Sequence, residues 1–415
     1  MWPFQLILAT YFLKIAGYCI LMLRQKANGA GDCLTDKLKA PPSVDILLSM
    51  YNEEKVIVGT IRNLLKIKYD RFSIIVVDDG STDESFNIVK RHFDGHPLVQ
   101  LFHQPNGGKS TALNRAMAAS RSDIVITIDA DTWVRPDAVE NIVRYFRDEK
   151  VAAVAGHLLV GNRVNILTDM QYFEYVSIWD NDRAFSDGIN GILIVPGALG
   201  AYRRTAVNAV GGFKSEVIAE DTELTLRLLY NNYILRNASD AVGYTEAPDN
   251  LKMFFRQRVR WTIGLTQALV IHNKVLFAYS NRWLTYLALP FTWSFRVILP
   301  FFLPLADYYF IYAYFILKHT EALAWWLPVI LIEALITLYL LSKFKERIGI
   351  FRLVIVQRLY RHLLFCNYWF ILAKWLDGTL FRWGKITRKG NVRLGNEVPV
   401  MPKQSYSKKT INHHE

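Results

Sequence analysis

Cysteine is scarce: Cys19, Cys33 and Cys366 are the only three in 415 residues. None sits at C-x-x-C spacing and no histidine or cysteine cluster surrounds them, so neither a structural zinc site nor a disulfide framework is expected, and a reducing compartment fits. A Walker A loop is missing, since Asn106-Gly107-Gly108-Lys109-Ser110 lacks the G-x-x-x-x-G-K spacing. No nucleic-acid motif is present. The 49 basic residues outnumber 37 acidic ones, but they are not gathered into one helix or arm, so nucleic acid is not an expected partner. Internal repeats and low-complexity tracts are lacking too. So is the basic opening of a cleaved signal peptide: the chain starts Met1-Trp2-Pro3, and Arg24 and Lys26 follow the first apolar run rather than precede it.

Apolar residues, by contrast, are plentiful. Hydrophobic residues make up 52% and aromatics 13%, high for a purely soluble protein, which directs attention to membrane segments. Residues 1–26 read as a retained anchor, apolar over 2–23, with its N-terminus outside; Lys14 interrupts it and can snorkel or face another helix. Residues 27–43 form a polar linker, 44–275 a folded cytoplasmic domain, 276–375 membrane and interfacial helices, and 376–415 a basic cytoplasmic tail. Trp283–Leu305 and Leu323–Leu341 are long enough to span a bilayer at about 20 residues each. Lys343, Lys345 and Arg347 place the end of the second inside. Residues 350–373 carry Arg352, Arg358, Arg361 and His362 among Leu, Ile and Phe, and read as an amphipathic interface helix. Residues Tyr308–Leu317 fit either an interfacial segment or the end of one tilted helix. The expectation is a multi-pass protein of the plasma (inner) membrane. Its net charge of +12 is explained by cytoplasmic basic residues and an anionic substrate.

Within the folded domain the pattern alternates. Val44–Ser49, Phe72–Val77, Leu98–His103 and Ile124–Ile128 are short apolar runs, the second an unbroken Ile-Ile-Val-Val typical of a parallel strand buried on both faces. Helical patterns lie between them, from Tyr51 to about Ile67 and over Lys109–Ala119, with Pro136 near the start of another. This alternation predicts a doubly wound, mostly parallel α/β sheet with its polar residues at the strand C-termini.

Those strand ends carry the chemistry. Asp129-Ala130-Asp131 closes a buried strand, and two carboxylates so spaced can share Mg²⁺ or Mn²⁺ to neutralise a diphosphate. As a bare D-x-D it is more often an acidic loop; its place after Ile-Val-Ile-Thr-Ile reverses that weighting. Asp78-Asp79-Gly80-Ser81 closes an earlier strand, where a carboxylate can accept from a base or ribose, or Ser81 and Asp83 can simply cap a helix. The glycines before Lys109 allow close backbone approach, and the lysine suits phosphate. Glu220-Asp221 opens a helical run over Thr222–Leu229 and is either a cap or a general base for an acceptor hydroxyl. Gln257, Arg260 and Trp261 stand at helical spacing: Arg260 can hold a diphosphate and Trp261 offers a face for a sugar ring, against the plainer reading of an interface helix beside Phe254, Phe255 and Arg256. His157 reads as structural. Arg296, Asp307 and Glu333 fall in or beside membrane segments, where charges face a polar path, one another or the headgroups.

Taken together, the motifs resemble those of the processive membrane-bound family 2 glycosyltransferases, which include cellulose, chitin, hyaluronan and poly-N-acetylglucosamine synthases. The resemblance spans about residues 44–270 and rests on Tyr51-Asn52-Glu53, Asp78-Asp79-Gly80-Ser81-Thr82-Asp83, Asn106-Gly107-Gly108-Lys109, Asp129-Ala130-Asp131, Gly211-Gly212-Phe213, Glu220-Asp221 and Gln257-x-x-Arg260-Trp261. The wording Gln-Arg-Val-Arg-Trp, Gly264 after it and Trp383-Gly384-Lys385-Ile386-Thr387-Arg388 look most like the poly-N-acetylglucosamine synthases. Ala219, where a threonine commonly precedes the Glu-Asp pair, and Ser49-Met50, where a proline is usual, depart from the pattern.

The resemblance implies a GT-A-type nucleotide-sugar transferase fold flanked by membrane helices. It implies that Tyr51, Glu53, Asp79, Lys109 and Asp129 contact the donor, with Asp79 and Asp129 on the uridine, and that Asp131 binds the metal. Asp221, with Glu220, would be the catalytic pair. Gln257, Arg260 and Trp261 would grip the diphosphate and the acceptor end. The expected partners are a UDP-sugar, the growing polysaccharide, the bilayer and a small membrane accessory subunit. The expected activity is inverting, processive synthesis of a β-linked polysaccharide, poly-N-acetylglucosamine from UDP-N-acetylglucosamine. One rival is a transferase adding a single sugar to a membrane lipid; another is a catalytically dead membrane partner, ranked last because all three carboxylate clusters are intact.

Overall fold

The apolar runs form strands whose alternate residues are buried on opposite faces. The strands are β1 (Val44–Met50), β2 (Phe72–Asp78), β3 (Val99–His103), β4 (Ile124–Asp129), β5 (Trp133–Val134), β6 (Val151–Val160), β7 (Gly200–Arg203) and β8 (Ile234–Thr245). The helices are α1 (Ile57–Leu64), α2 (Ser85–Phe93), α3 (Lys109–Ala119), α4 (Ala138–Val143), α5 (Ile166–Glu174), α6 (Arg204–Ala209), α7 (Glu220–Tyr230), α8 (Leu251–Ile271), α9 (Leu299–Ile311), α10 (Glu321–Phe344) and α11 (Ile350–Leu376). The structure, a computed structural model, describes residues 41–176, 186–272, 299–344, 350–378 and 389–392, with isolated positions elsewhere.

One eight-stranded sheet runs in the order β3-β2-β1-β4-β7-β6-β8-β5. On one face Ile46, Leu48, Ile74, Val76, Ile124, Ile126 and Ile128 pack with Ile57, Ile61 and Leu64 of α1, Val89 of α2 and Ile142 of α4. On the other, Leu47, Ile75, Val77 and Val125 pack with Leu113 and Ala116 of α3, Leu224 and Leu228 of α7 and Ala268 of α8. The period of two along each strand therefore feeds two apolar layers, and each fully buried aliphatic side chain contributes roughly 1.5–3 kcal/mol. This is why β2 carries no polar alternation.

The expected parallel sheet holds for half the molecule. β3, β2, β1 and β4 are parallel throughout. Beyond β4 the sheet is mixed: β7 runs antiparallel to both β4 and β6, β6 pairs in parallel with β8, and β5 is antiparallel to β8. The expectation of a mostly parallel, doubly wound sheet is corrected to a mixed one. The four-residue strand β7 slots between β4 and β6 after a long excursion, a non-local pairing that local periodicity does not encode. The helix expected from Tyr51 begins only at Ile57, because the chain bends at 51–52, with Asn52 at φ +53°, and turns at 54–56.

The register lines up the strand ends. Met50 stands opposite Asp78, Asp78 opposite His103, and Ser49 opposite Asp129. The chain runs outward from β1 through β2 to β3, then returns to place β4 on the other side of β1. That reversal opens a crevice at the C-terminal ends of β1 and β4.

Of the membrane segments, the anchor over 2–23 lies almost wholly, and the 27–40 stretch and tail motif 383–388 wholly, outside the described residues, as do most of 283–298 and Arg296. Among the described residues, no helix is long and apolar enough to cross a membrane. Residues 350–373, expected as one interfacial helix, do lie in a single helix, α11. Asp307 faces other polar side chains: it accepts from Arg358 Nη1 at 2.6 Å and Trp326 Nε1 at 3.0 Å. His157 is buried in β6, as a structural residue would be. Cys366 is free and exposed.

Candidate active site

The crevice is walled by turns held rigid from neighbouring elements. Asn52 accepts from the Thr82 amide at 2.7 Å, while its own amide donates to Ser81 Oγ at 2.9 Å and the Glu53 amide to Ser85 Oγ at 2.7 Å. The Tyr51-Asn52-Glu53 and Asp78–Asp83 motifs thus form one unit, with the Tyr51 ring exposed at its rim. Asparagine tolerates the left-handed backbone this turn requires, so Asn52 has a local reason to be there.

Asp79 is committed to a different wall. Its Oδ1 accepts from Gln104 Nε2 at 2.7 Å and the Gly107 amide at 3.0 Å, and its Oδ2 from the Gly108 amide at 2.8 Å. These bonds pin the Gly-Gly-Lys loop to the end of β2 and aim α3, whose first residue is Lys109, into the crevice. Gly108 has φ +90°, a conformation that favours glycine.

The D-x-D turn is clamped by α1. Thr60 Oγ1 donates to Ala130 O at 2.6 Å, and Asn63 exchanges two bonds with Val134 at 2.7 and 3.1 Å. Neither α1 residue stood out in the sequence, since their partners lie about 70 positions away. Asp131 is buried and Asp129 is partly exposed.

Three distant carboxylates converge on one cation. Lys109 Nζ lies 2.7 Å from Asp129 Oδ1 and 2.9 Å from Glu220 Oε1. Burial alone would lower the lysine pKa; the charges of Asp129, Glu220 and Asp221 outweigh it and raise it well above the ordinary value. Asp221, in the first turn of α7, is held by the Gly197 amide at 2.9 Å and its neighbour Thr222 amide at 2.7 Å. Burial and the adjacent Glu220 push the Asp221 carboxyl above the usual carboxylate range, while Lys109 and the two amides pull the other way. Gly197 belongs to a loop with no recognised motif. A Cβ there would meet Lys109 Nζ at 3.0 Å and Asp221 Oδ2 at 3.5 Å, so the missing side chain is what lets the loop close over the acids.

Helix α8 completes the wall. Its Gly264 lies against Ala219, directly before Glu220: a Cβ on Gly264 would stand 2.7 Å from Ala219 Cβ and 3.3 Å from its amide nitrogen. Gln267 Oε1 accepts from the Ile218 amide at 3.0 Å. Gln257 is buried, and its Oε1 has no hydrogen-bond partner among the described residues; Arg260 is exposed; Trp261 is half-buried, its ring centroid 6.5 Å from that of Tyr175. A buried, unsatisfied amide oxygen is costly.

The donor set of Asp129 and Asp131 is all carboxylate, which suits a hard divalent cation, and the lysine ammonium between Asp129 and Glu220 shows that this spot favours positive charge. Among the described residues, no group of three or more His, Cys, Asp or Glu is arranged to hold a metal ion unaided. A cation would therefore complete its shell with diphosphate oxygens and water.

Residues 45–211 match the glycosyl transferase family 2 profile, and this segment is a glycosyltransferase domain of that family. The chain is 29% identical over 243 residues to a poly-beta-1,6-N-acetyl-D-glucosamine synthase of Staphylococcus aureus, covering 58% of each chain. It is 32% identical over 242 residues to the probable glycosyltransferase YdaM of Bacillus subtilis, covering 55% of this chain and 56% of that one. The aligned region thus spans less than two thirds of these relatives' length. Among solved structures, a mannosyltransferase from Pyrobaculum calidifontis in complex with GDP-mannose and Mn²⁺ shares the fold, with TM-score 0.61 and 22% identity over 88% of this chain and 98% of that one.

Proposed function

We propose that the chain is an inverting hexosyltransferase that extends a β-linked polysaccharide, poly-N-acetylglucosamine from UDP-N-acetylglucosamine. The observation that carries this reading is the convergence of Asp129, Glu220 and Asp221 on Lys109, with α8 packed against the start of α7. In this reading Asp129 and Lys109 face the donor diphosphate, and Asp221 with α8 faces the acceptor. Ionised Asp221 takes the proton of the acceptor hydroxyl as that oxygen bonds to the anomeric carbon and the bond to the UDP oxygen breaks, inverting the centre. The raised Asp221 pKa makes it a stronger base than an exposed aspartate. Lys109 and Arg260 offer positive charge to the diphosphate, Tyr51 and Glu53 line the donor end, and Gln257 and Trp261 seat the acceptor. Asp79 supports donor binding by holding the Gly107–Gly108 loop. Asp129 and Asp131 would hold Mg²⁺ or Mn²⁺, which when bound neutralises charge on the departing diphosphate.

The proposed setting is the cytoplasmic face of the plasma membrane. Phe302, Tyr308, Tyr312, Phe315, Trp369 and Trp375 are large apolar side chains exposed on α9, α11 and the turn after α9, a surface suited to lipid. The polymer would pass outward, and a small membrane subunit would assist.

The deciding assay offers radiolabelled UDP-N-acetylglucosamine and UDP-glucose separately, in membranes with Mg²⁺ or Mn²⁺, and sizes the product. Polymer from UDP-N-acetylglucosamine alone is expected. Polymer from UDP-glucose would move the substrate to a glucan, and a one-sugar lipid would replace the polymerase reading.

The Gly264–Ala219 approach supplies a second expectation. Gly264→Ala forces α8 away from the start of α7, and a shift near 1 Å at a reacting centre costs on the order of 10²-fold in rate. The overpacking itself should destabilise by about 1–3 kcal/mol. The checks are kcat and the melting temperature of the same preparation; unchanged kcat would mean that α8 does not set the acceptor position.

A further inference from the structure

A buried charge on α8 lies outside the chemistry described above. Arg258, between Gln257 and Arg260, is 5% exposed. Its guanidinium makes a two-pronged pair with Glu174 at the end of α5: Nη1 to Oε1 at 2.7 Å and Nη2 to Oε2 at 2.6 Å. Tyr360 of α11 donates its hydroxyl to Glu174 Oε2 at 2.6 Å. The guanidinium carbon then lies over three rings, 4.6 Å from the centroid of Trp261, 5.1 Å from Phe254 and 5.8 Å from Tyr360. Tyr175, next to Glu174 in sequence, flanks Trp261 as well.

Stability alone does not call for this arrangement. A buried ion pair is commonly matched or bettered by apolar residues of the same volume, because two charges must be desolvated to form it. What the pair adds is direction. The planar guanidinium is held by one hydrogen bond from Nη1 and a close charge contact from Nη2 to the same carboxylate, so the face it turns to Trp261 has little freedom. Trp261 gains from that cation most when the ring stacks in one orientation. The Tyr360 hydroxyl ties the same carboxylate to a helix more than 180 residues away in sequence.

We infer that Arg258 is a positioning residue, locked by Glu174 and Tyr360, that fixes the Trp261 ring as the platform for the acceptor sugar. Through Tyr360, the seating of α11 bears on how firmly the acceptor is held. This inference rests on the reading of Trp261 as an acceptor platform in a polymerase.

The test uses the full chain in membranes and three variants. Arg258→Lys keeps the charge but loses the planar, two-pronged pair; Tyr360→Phe removes one hydroxyl; the double variant Glu174→Gln with Arg258→Met removes both charges, so that no buried carboxylate is left uncompensated. Measured are the donor KM, the KM for a short β-linked N-acetylglucosamine oligosaccharide, and product length. Donor KM should stay within about twofold, while acceptor KM rises about tenfold in Arg258→Lys and in the double variant and less in Tyr360→Phe, with shorter product in each. A double variant with wild-type acceptor KM and product length would reduce Arg258 to a structural role and overturn the inference. A wild-type enzyme that makes only a one-sugar lipid would overturn it through the underlying reading instead, and the two failures are distinguished by the wild-type product.

Discussion

Asp221→Asn is expected to lower sugar transfer by about 10²–10⁴-fold at normal protein level, the range typical of a lost general base. The amide is nearly isosteric, and its single oxygen keeps one of the two bonds that Asp221 accepts, from Gly197 at Oδ2 or from Thr222 at Oδ1, so the melting temperature of the same preparation separates lost chemistry from lost folding. The wild-type pH profile supplies the matching signature. Burial and Glu220 hold the Asp221 carboxyl above the ordinary aspartate value of 3.8. Catalysis needs the ionised form, so kcat/KM should fall as pH drops through that raised pKa, with an acid limb at higher pH than an exposed aspartate would give. Polymer made at wild-type rate by Asp221→Asn, or an acid limb unmoved from the ordinary carboxylate range, would remove Asp221 from the role of base.

Lys109→Met should produce the second large effect. The apolar stem is retained, but the ammonium between Asp129 and Glu220 disappears and three carboxylates face one another. Removing one partner of a buried pair costs about 3–5 kcal/mol. The lysine side chain is 35% exposed and that of Asp129 32%, so solvent screening brings the expected loss down to roughly 1–2 kcal/mol. The native pKa of Lys109 is raised, so its stabilisation is fully present at neutral pH and is lost only as pH climbs above the ordinary lysine value of 10.5. Lys109 also draws the Asp221 pKa down. In Lys109→Met the acid limb of kcat/KM should therefore move to higher pH, and donor KM should rise. Lys109→Arg should recover much of the stability. Paired denaturation curves and pH profiles test this; a Lys109→Met enzyme with an unmoved acid limb would show that the lysine does not act on the base.

How far the sequence reaches can be judged from particular residues. Strand β2 and helix α3 were legible because each is specified locally. An unbroken Ile-Ile-Val-Val run has to be buried on both faces, and Lys109–Ala119 follows two glycines and carries good helix formers. The D-x-D, Glu-Asp and Q-x-x-R-W residues stood out by type, spacing and order, although each also had a plainer local reading as an acidic loop, a helix cap or an interface helix. The placement of β7 was not. Four residues, Gly200–Arg203, reverse the sense of the sheet between β4 and β6, and their choice of partners is decided by strands more than 40 positions away. The clamps were equally hidden. Thr60 and Asn63 are ordinary helix residues until the turn at 130–134 meets them, Gly197 is one glycine among 23, and Arg258 pairs with a carboxylate 84 positions earlier.

Residue type and local period thus specified the strands, the helices and the kinds of group available for catalysis, because burial and hydrogen-bonding capacity are properties each residue carries with it. Which groups meet was settled by folding. Lys109 between Asp129 and Glu220, Asp79 turned to the glycine loop, and Arg258 beside Trp261 are all products of sheet order and helix packing. Distances of 2.6–2.9 Å between charges from separate elements depend on how those elements stack, and no local pattern encodes that.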